Sequence, residues 1–169
     1  MAIWVIGGLA VLLASCGKEA EKNPTVGALP QDSAAGRRAY DAGDYQTAFK
    51  TWSPLANQGD IGAQFWVGFL YEAGLGVRQD KAEAVKWLLL SSDQGHGDAQ
   101  ARVCRLLFLG QGVPQDYIQA YKWAELGSQI GNPEAQKVRG ELQKVMKASE
   151  VKEALRLVEE WNKKHKQTQ

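Results

Sequence analysis

The sequence predicts an all-α protein: a right-handed α-solenoid of helical hairpins closed by a C-terminal capping helix. Three observations carry this expectation. One set of residues recurs every 36 positions, in a single register, through most of the chain. Each period holds two stretches with apolar residues at helical spacing. Aspartates and paired glycines punctuate those stretches where helices would start and stop.

The elements are taken in chain order. Residues Ala2 to Ala14 are almost wholly apolar. The run is shorter than the ~20 residues a transmembrane helix needs and suits the apolar core of a secretory signal. It ends Leu13-Ala14-Ser15-Cys16-Gly17, which resembles a bacterial lipobox. Only Met1 and Ala2 precede the apolar core, without Lys or Arg. The resemblance implies a signal peptide over 1–15, cleavage before Cys16 and lipidation of its sulfur. With no Asp after Cys16, it implies attachment to the outer membrane, facing the periplasm. More than one acyl chain gives stable anchoring. Residues 16–31, with Glu, Lys, Asn, Gly and two prolines, lack apolar periodicity and read as a flexible tether.

Residues 32–147 carry the solenoid. Residues 32–43 are expected to form a degenerate first helix paired with a helix over 45–57. The repeat is clearest over 60–95 and 96–131. Asp44, Asp80 and Asp116 share one position; Ala48, Ala84 and Ala120 another; Gly59, Gly95 and Gly131 a third. Ala63-Gln64 returns as Ala99-Gln100 and Ala135-Gln136. The turn Gly74-Leu75-Gly76-Val77-Arg78-Gln79-Asp80 returns as Gly110-Gln111-Gly112-Val113-Pro114-Gln115-Asp116. Ala63, Trp66, Val67, Leu70 and Tyr71 form the apolar stripe of one helix. Gly74 and Gly76 end it, because glycine readily adopts the left-handed conformation past a helix end. Asp80 caps the partner helix, and Glu83 is placed to complete a capping box. Ala84, Trp87 and Leu88 face inward on that helix. Asn132-Pro133 reads as an N-cap followed by proline at the first helical position. Small residues at 68, 104 and 140 (Gly, Cys, Gly), with Ala48, Ala84 and Ala120, would let paired helices approach closely. Beyond Gln136 the glycine turn is missing. Val151, Ala154, Leu155, Val158 and Trp161 form a further stripe, so 148–169 reads as the capping helix with a solvated basic tail at Lys163, Lys164, His165 and Lys166.

This pattern resembles the Sel-1-like repeat family, a branch of the tetratricopeptide repeat superfamily. The matching motif runs Ala-Gln, a small residue, Gly-x-Gly-Val-x-x-Asp, Lys/Ala/Trp, then Gly. It covers about Asp44 to Val145 and is sharpest over 60–131. The resemblance implies a scaffold or adaptor that binds a protein or peptide partner. Some cysteine-rich exported relatives are linked to penicillin-like compounds. They carry a cysteine pair in each repeat, whereas this chain has only Cys16 and Cys104. A weak β-lactam- or cell-wall-acting hydrolase, or a secreted host-interaction factor, are the alternative functions.

Little else in the chain points to chemistry. Twenty Lys and Arg balance nineteen Asp and Glu, for a net charge of +1, which gives no reason to expect nucleic acid. The glycine turns follow no strand and no Gly-Lys-Ser/Thr follows them, so they are not phosphate loops. His96 and His165 lack partner ligands for a metal. Ser91, Ser92 and Ser128 have no base placed beside them, and Glu72, Asp98 and Glu141 are spread along the repeats. No catalytic residue, cofactor or metal is expected, and the chain is expected to be monomeric. The candidate partner groove lies on the first helix of each hairpin: Phe65, Phe69 and Glu72, then Ala101, Arg105 and Phe108, then Lys137, Glu141 and Lys144. Large aromatics off the core stripe are either anchors for a partner or are buried by a neighbouring hairpin.

Overall fold

The computed structural model describes residues 33–166. The expected signal peptide, Cys16, the tether and residues 167–169 lie outside them. The described residues form eight helices: α1 (Ser33–Asp41), α2 (Tyr45–Asn57), α3 (Ile61–Ala73), α4 (Lys81–Asp93), α5 (Gly97–Leu109), α6 (Tyr117–Gln129), α7 (Pro133–Val145) and α8 (Ala148–Lys166). No strand occurs among these residues. Helices α1–α2, α3–α4 and α5–α6 pair as hairpins, and each hairpin packs on the next through α2–α3 and α4–α5. The expected helical solenoid is what the chain forms.

Polar side chains start the helices. Asp44, Asp60 and Asp116 accept the backbone N–H groups of Thr47, Ala63 and Gln119 at 3.1, 2.7 and 2.9 Å. Asp80 accepts two, from Ala82 and Glu83, at 3.0 and 2.9 Å. Asn132 caps α7 in the same way, with Pro133 following it. Each cap satisfies donors that a helix N-terminus leaves without internal partners. The capping box expected at Asp80 is only half formed. The Asp80 N–H donates to Tyr71 O at 3.0 Å, which pins α4 to the end of α3. Glu83 pairs with Lys86 instead, at 2.6 Å.

The Ala-Gln motif proves to be an inter-hairpin tie. Gln64 and Gln100 are buried. Their Nε2 groups donate to Ala56 O (3.2 Å) and Ser92 O (3.3 Å), carbonyls at the end of the preceding hairpin's second helix. Those carbonyls belong to a helix C-terminus, where acceptors lack intrahelical donors. Gln136, the third member, is exposed.

Two apolar clusters form the core. The first gathers Ala48, Trp52, Ala56, Ala63, Val67 and Leu70. Trp52 stacks on Trp66 with ring centroids 4.9 Å apart. Helix α1 closes over it through Gly36, where an added Cβ would lie 2.4 Å from the Trp52 indole. The second cluster runs from Phe65 through Leu88, Val103, Leu106 and Trp123 to Leu142, Ala154 and Val158. Cys104 is fully buried within it. Burial pushes its thiol up to about 12, so it behaves as a small apolar group.

The C-terminal end differs in detail from the expected one. Helix α8 packs along α6, burying Ala154 and Val158. Leu155, expected in the inward stripe, is 41% exposed. It falls one residue off the line Val151-Ala154-Val158-Trp161 that faces α6. Gly140 on α7 also departs from expectation. An added Cβ there would meet nothing within 4 Å, because no paired helix occupies the slot that α4 fills beside Gly68. The outer face of α7, with Gln136, Lys137 and Lys144 exposed, gives the stack a polar end.

Candidate functional site

Helices α1, α3 and α5, the first of successive hairpins, and α7, which follows them, are linked side by side through their side chains. This face holds the residues expected to line a groove, and it brings several of them together. Glu72, near the end of α3, is the hub. Its carboxylate pairs with Arg102 at 3.0 Å and, closely, with Arg105, both on α5. Arg105 Nε in turn lies 2.9 Å from Glu134 on α7. The Glu72 side chain is only 11% exposed. A carboxylate so nearly desolvated requires cations on it, and here it has two. The result is an ion-pair ladder across three helices.

An aromatic strip adjoins the ladder. The Arg102 guanidinium sits over the Phe69 ring, 4.6 Å from its centroid. Phe69 also contacts Trp66 and Tyr40, at 5.8 and 5.9 Å between centroids. Arg37 on α1 lies over Trp66 at 5.3 Å. Trp66 and Phe69 are half-buried, so each keeps an accessible edge. Cations held over such rings are attracted by the ring quadrupole.

Not every expected groove residue lines this face. Phe65 is 7% exposed, covered by the next hairpin: the His96 ring stacks on it at 4.5 Å. It supports the strip from beneath. Ala101 is buried as well. Phe108 is half-buried, with its ring 5.8 Å from that of Tyr117 on α6. Lys137 and Lys144 are exposed and Glu141 is half-buried, all on α7. The sequence reading missed Arg37, Tyr40, Arg102 and Glu134. Arg102 has no charged equivalent in the neighbouring repeats (Trp66 and Val138 hold its position), so the 36-residue register gave it no signal.

His96 holds the N-cap position that Asp60 and Asn132 hold in the flanking repeats. Its Nδ1 accepts the Ala99 N–H at 3.3 Å. Burial lowers its affinity for a proton, and Asp98 opposes this only in part. The unfolded chain therefore binds the proton more readily than the folded one. Stability from this group is full above the ordinary imidazole value of about 6.5 and is lost as pH falls below it. The melting temperature is expected to drop between pH 7.5 and 5. A His96→Asn variant, which caps without titrating, should lose part of that drop. Equal pH slopes for the two proteins would contradict this account.

Ser91 and Ser128 are tied to backbone carbonyls. Ser91 donates to Ile61 O at 2.8 Å and Ser128 to Ala124 O at 2.6 Å. Cys104 Sγ lies 3.0 Å from Ala101 O.

The hairpins α3–α4 and α5–α6 coincide with two matches to the Sel1 repeat family model, at residues 61–96 and 97–132. The matched segments cover the middle of the chain. Solved structures show the same helical architecture. One is a protective antigen present in uropathogenic Escherichia coli strains, displaying an SLR fold. It aligns with a TM-score of 0.72 at 24% identity, over 76% of this chain and 28% of that one. A Sel1 repeat protein from Oxalobacter formigenes aligns with a TM-score of 0.62 at 27% identity, over 66% of this chain and 46% of that one. The chain thus spans less than half the length of either. No curated protein matches it.

Proposed function

We propose that this chain is a lipid-anchored adaptor of a bacterial cell envelope, tethered through Cys16 to the outer membrane and facing the periplasm, that holds a protein or peptide partner on the α1/α3/α5/α7 face. Sel1 repeats are generally protein–protein interaction scaffolds, and two segments that match them form the middle of the chain. The observation that carries the reading is the half-exposed strip of Trp66 and Phe69 beside the Glu72–Arg102–Arg105–Glu134 ladder. Aromatic rings and arginines are the residue types that anchor interfaces. A ladder already paired within the protein presents a pre-organised charge pattern, which lowers the ordering cost of binding. The lipobox-like Leu13-Ala14-Ser15-Cys16 supports the anchor.

Affinity capture from envelope extract, with mass spectrometry of what is retained, tests the face. A Phe69→Ala, Arg105→Ala double variant should lose the captured partner while keeping its helical circular dichroism and cooperative melting. Glu72 keeps Arg102 in that variant, so the ladder's buried carboxylate stays paired. Undiminished capture would overturn the assignment of this face, and nitrocefin hydrolysis by the purified protein would favour a hydrolase. Palmitate labelling should disappear in Cys16→Ala; unchanged labelling would remove the anchor from the reading.

A further inference from the structure

Short turns make the helices of each hairpin antiparallel, so the helix ends fall on two opposite edges. One edge gathers the N-termini of α1, α3, α5 and α7 with the C-termini of α2, α4, α6 and α8. Hydrogen bonds join these ends. Ser33 O, where α1 starts, accepts the Trp52 indole N–H in the second half of α2 at 3.1 Å. Gln94, just past α4, donates to Gly59 O in the turn after α2 at 3.4 Å. His165, in the last turn of α8, lies 2.5 Å from the carbonyl oxygen of Asp93, the last residue of α4. Asn132, before α7, donates to Asp98 in the first turn of α5 at 3.1 Å.

This is the edge at which the chain from Cys16 enters. Residues 16–32, read above as a tether, join the helices at Ser33. As a coil they would reach about 20–25 Å on average. An anchor on Cys16 therefore holds this edge nearest the membrane. The last turn of α8 brings Lys163, Lys164 and Lys166 to the same edge, all exposed. They span a full turn, so they ring the helix end rather than share one face. The acids around them are mostly engaged. Glu160 pairs with Arg156, Glu134 with Arg105, Asp60 caps α3 and Asp98 holds Asn132. Asp93 offsets Lys122. Glu159, one turn back on α8, leaves the lysine cluster net positive. Ile130 is 63% exposed on this edge, and Ile61 and Leu90 are exposed beside it. A helix C-terminus favours cations. That preference does not explain exposed isoleucines next to them. Lysines beside apolar side chains suit an anionic membrane surface, where ammonium groups meet lipid phosphates and apolar groups enter the headgroup layer.

We propose that this edge is a second contact with the membrane: it rests on a bilayer surface containing anionic lipid, with Lys163, Lys164 and Lys166 on lipid phosphates and Ile130 in the headgroup layer. The inference rests on the lipid anchor proposed above and supplies the orientation that an anchor alone leaves open. The aromatic strip and the ion-pair ladder lie on the sides of the helices rather than at their ends. The contact therefore leaves them clear of the bilayer and open to a partner.

The test uses the full chain, purified with its lipid and reinserted into vesicles. A nitroxide is attached at Ile130→Cys on this edge or at Arg78→Cys in the α3–α4 turn on the opposite edge. Cys104 is fully buried and takes no label. Adding phosphatidylglycerol to phosphatidylcholine vesicles should cut collisions of the Ile130→Cys label with an aqueous relaxation agent several-fold. The Arg78→Cys label should not change. Salt at ~1 M, where the Debye length is about 3 Å, should reverse the protection. So should the Lys163→Gln, Lys164→Gln, Lys166→Gln variant, which should keep its melting temperature because all three side chains are exposed. Equal collisions in the two kinds of vesicle, or protection that survives the triple variant, would overturn the inference and leave the anchor standing. A chain that fails to float with phosphatidylcholine vesicles would remove the anchor, and the inference with it.

Discussion

Gly68→Leu is expected to lower the melting temperature by on the order of 10 °C, whereas Gly140→Leu, at the equivalent position two repeats later, should raise it slightly. At Gly68 an added Cβ would lie 2.8 Å from Leu88 Cγ and 3.1 Å from the Ala84 carbonyl oxygen. Leu88 is fully buried and cannot swing aside into solvent. The carbonyl belongs to the backbone of α4, so relief requires the hairpin to open. Overpacking of this kind costs about 1–3 kcal/mol for extra methylenes in a dense core, and more where backbone must move. The helix propensity of leucine over glycine returns less than about 1 kcal/mol. A net loss of about 3 kcal/mol converts to roughly 10 °C in a domain of this size. At Gly140 no atom lies within 4 Å of the added Cβ, so only the propensity gain operates. Thermal unfolding of the two variants side by side checks the pair. An unchanged melting point for Gly68→Leu would remove close helix approach as the reason for a small residue there.

This pair also shows what could be read from the sequence and what could not. The 36-residue register placed the helices and the capping aspartates correctly, because these follow from local geometry that every repeat must satisfy. It treated positions 68, 104 and 140 as one class. The structure separates them, since Gly68 and Cys104 face a paired helix and Gly140 faces none. That difference depends on where α8 goes, and α8 has Arg156 at the position where α2, α4 and α6 have Ala48, Ala84 and Ala120. An arginine cannot enter the small slot, and α8 lies against α6 instead. The signal was present, but it was a departure from the repeat rather than a repetition of it.

The groove follows the same logic. Phe69, Glu72 and Arg105 were found by periodicity and come together on one face. Arg102 and Glu134 complete the ladder but break the repeat, so periodicity could not select them. Burial of Phe65 was not legible either: its cover is His96, whose ring comes from the turn before α5. In the unfolded chain nothing marks that histidine as a lid for an aromatic. Residues that give a repeat protein its individual surface are those in which one repeat differs from the next. Function is therefore expected at the irregular positions, while the regular ones hold the stack together.

Gly112→Ala should destabilise far more than Gly131→Ala, although both glycines have positive φ. The angles are +79° and +83°, so an alanine at either pays the left-handed penalty of about 1–2 kcal/mol. Gly131 has open space around it, and the penalty is all that is expected: a fall of a few degrees. Gly112 is different, because its turn rests on the preceding hairpin. An added Cβ would lie 2.4 Å from both the carbonyl carbon and oxygen of Lys81, at the start of α4. Backbone there cannot yield without disturbing the Asp80 cap. The turn would have to lift, stretching the Lys81–Gln111 hydrogen bond (2.9 Å) and the Asp116 N–H to Leu107 O bond (3.1 Å) that sets the start of α6. Strain plus these losses sums to about 3–4 kcal/mol, or more than 10 °C. Gly76, whose added Cβ would lie 2.4 Å from the Tyr45 backbone, should behave like Gly112. The second glycine of each Gly-x-Gly turn would then be a contact between hairpins and not only a helix stop. Urea titration of the Gly112→Ala and Gly131→Ala proteins separates the two roles: equal midpoints would leave the left-handed conformation as the whole reason for glycine at both sites.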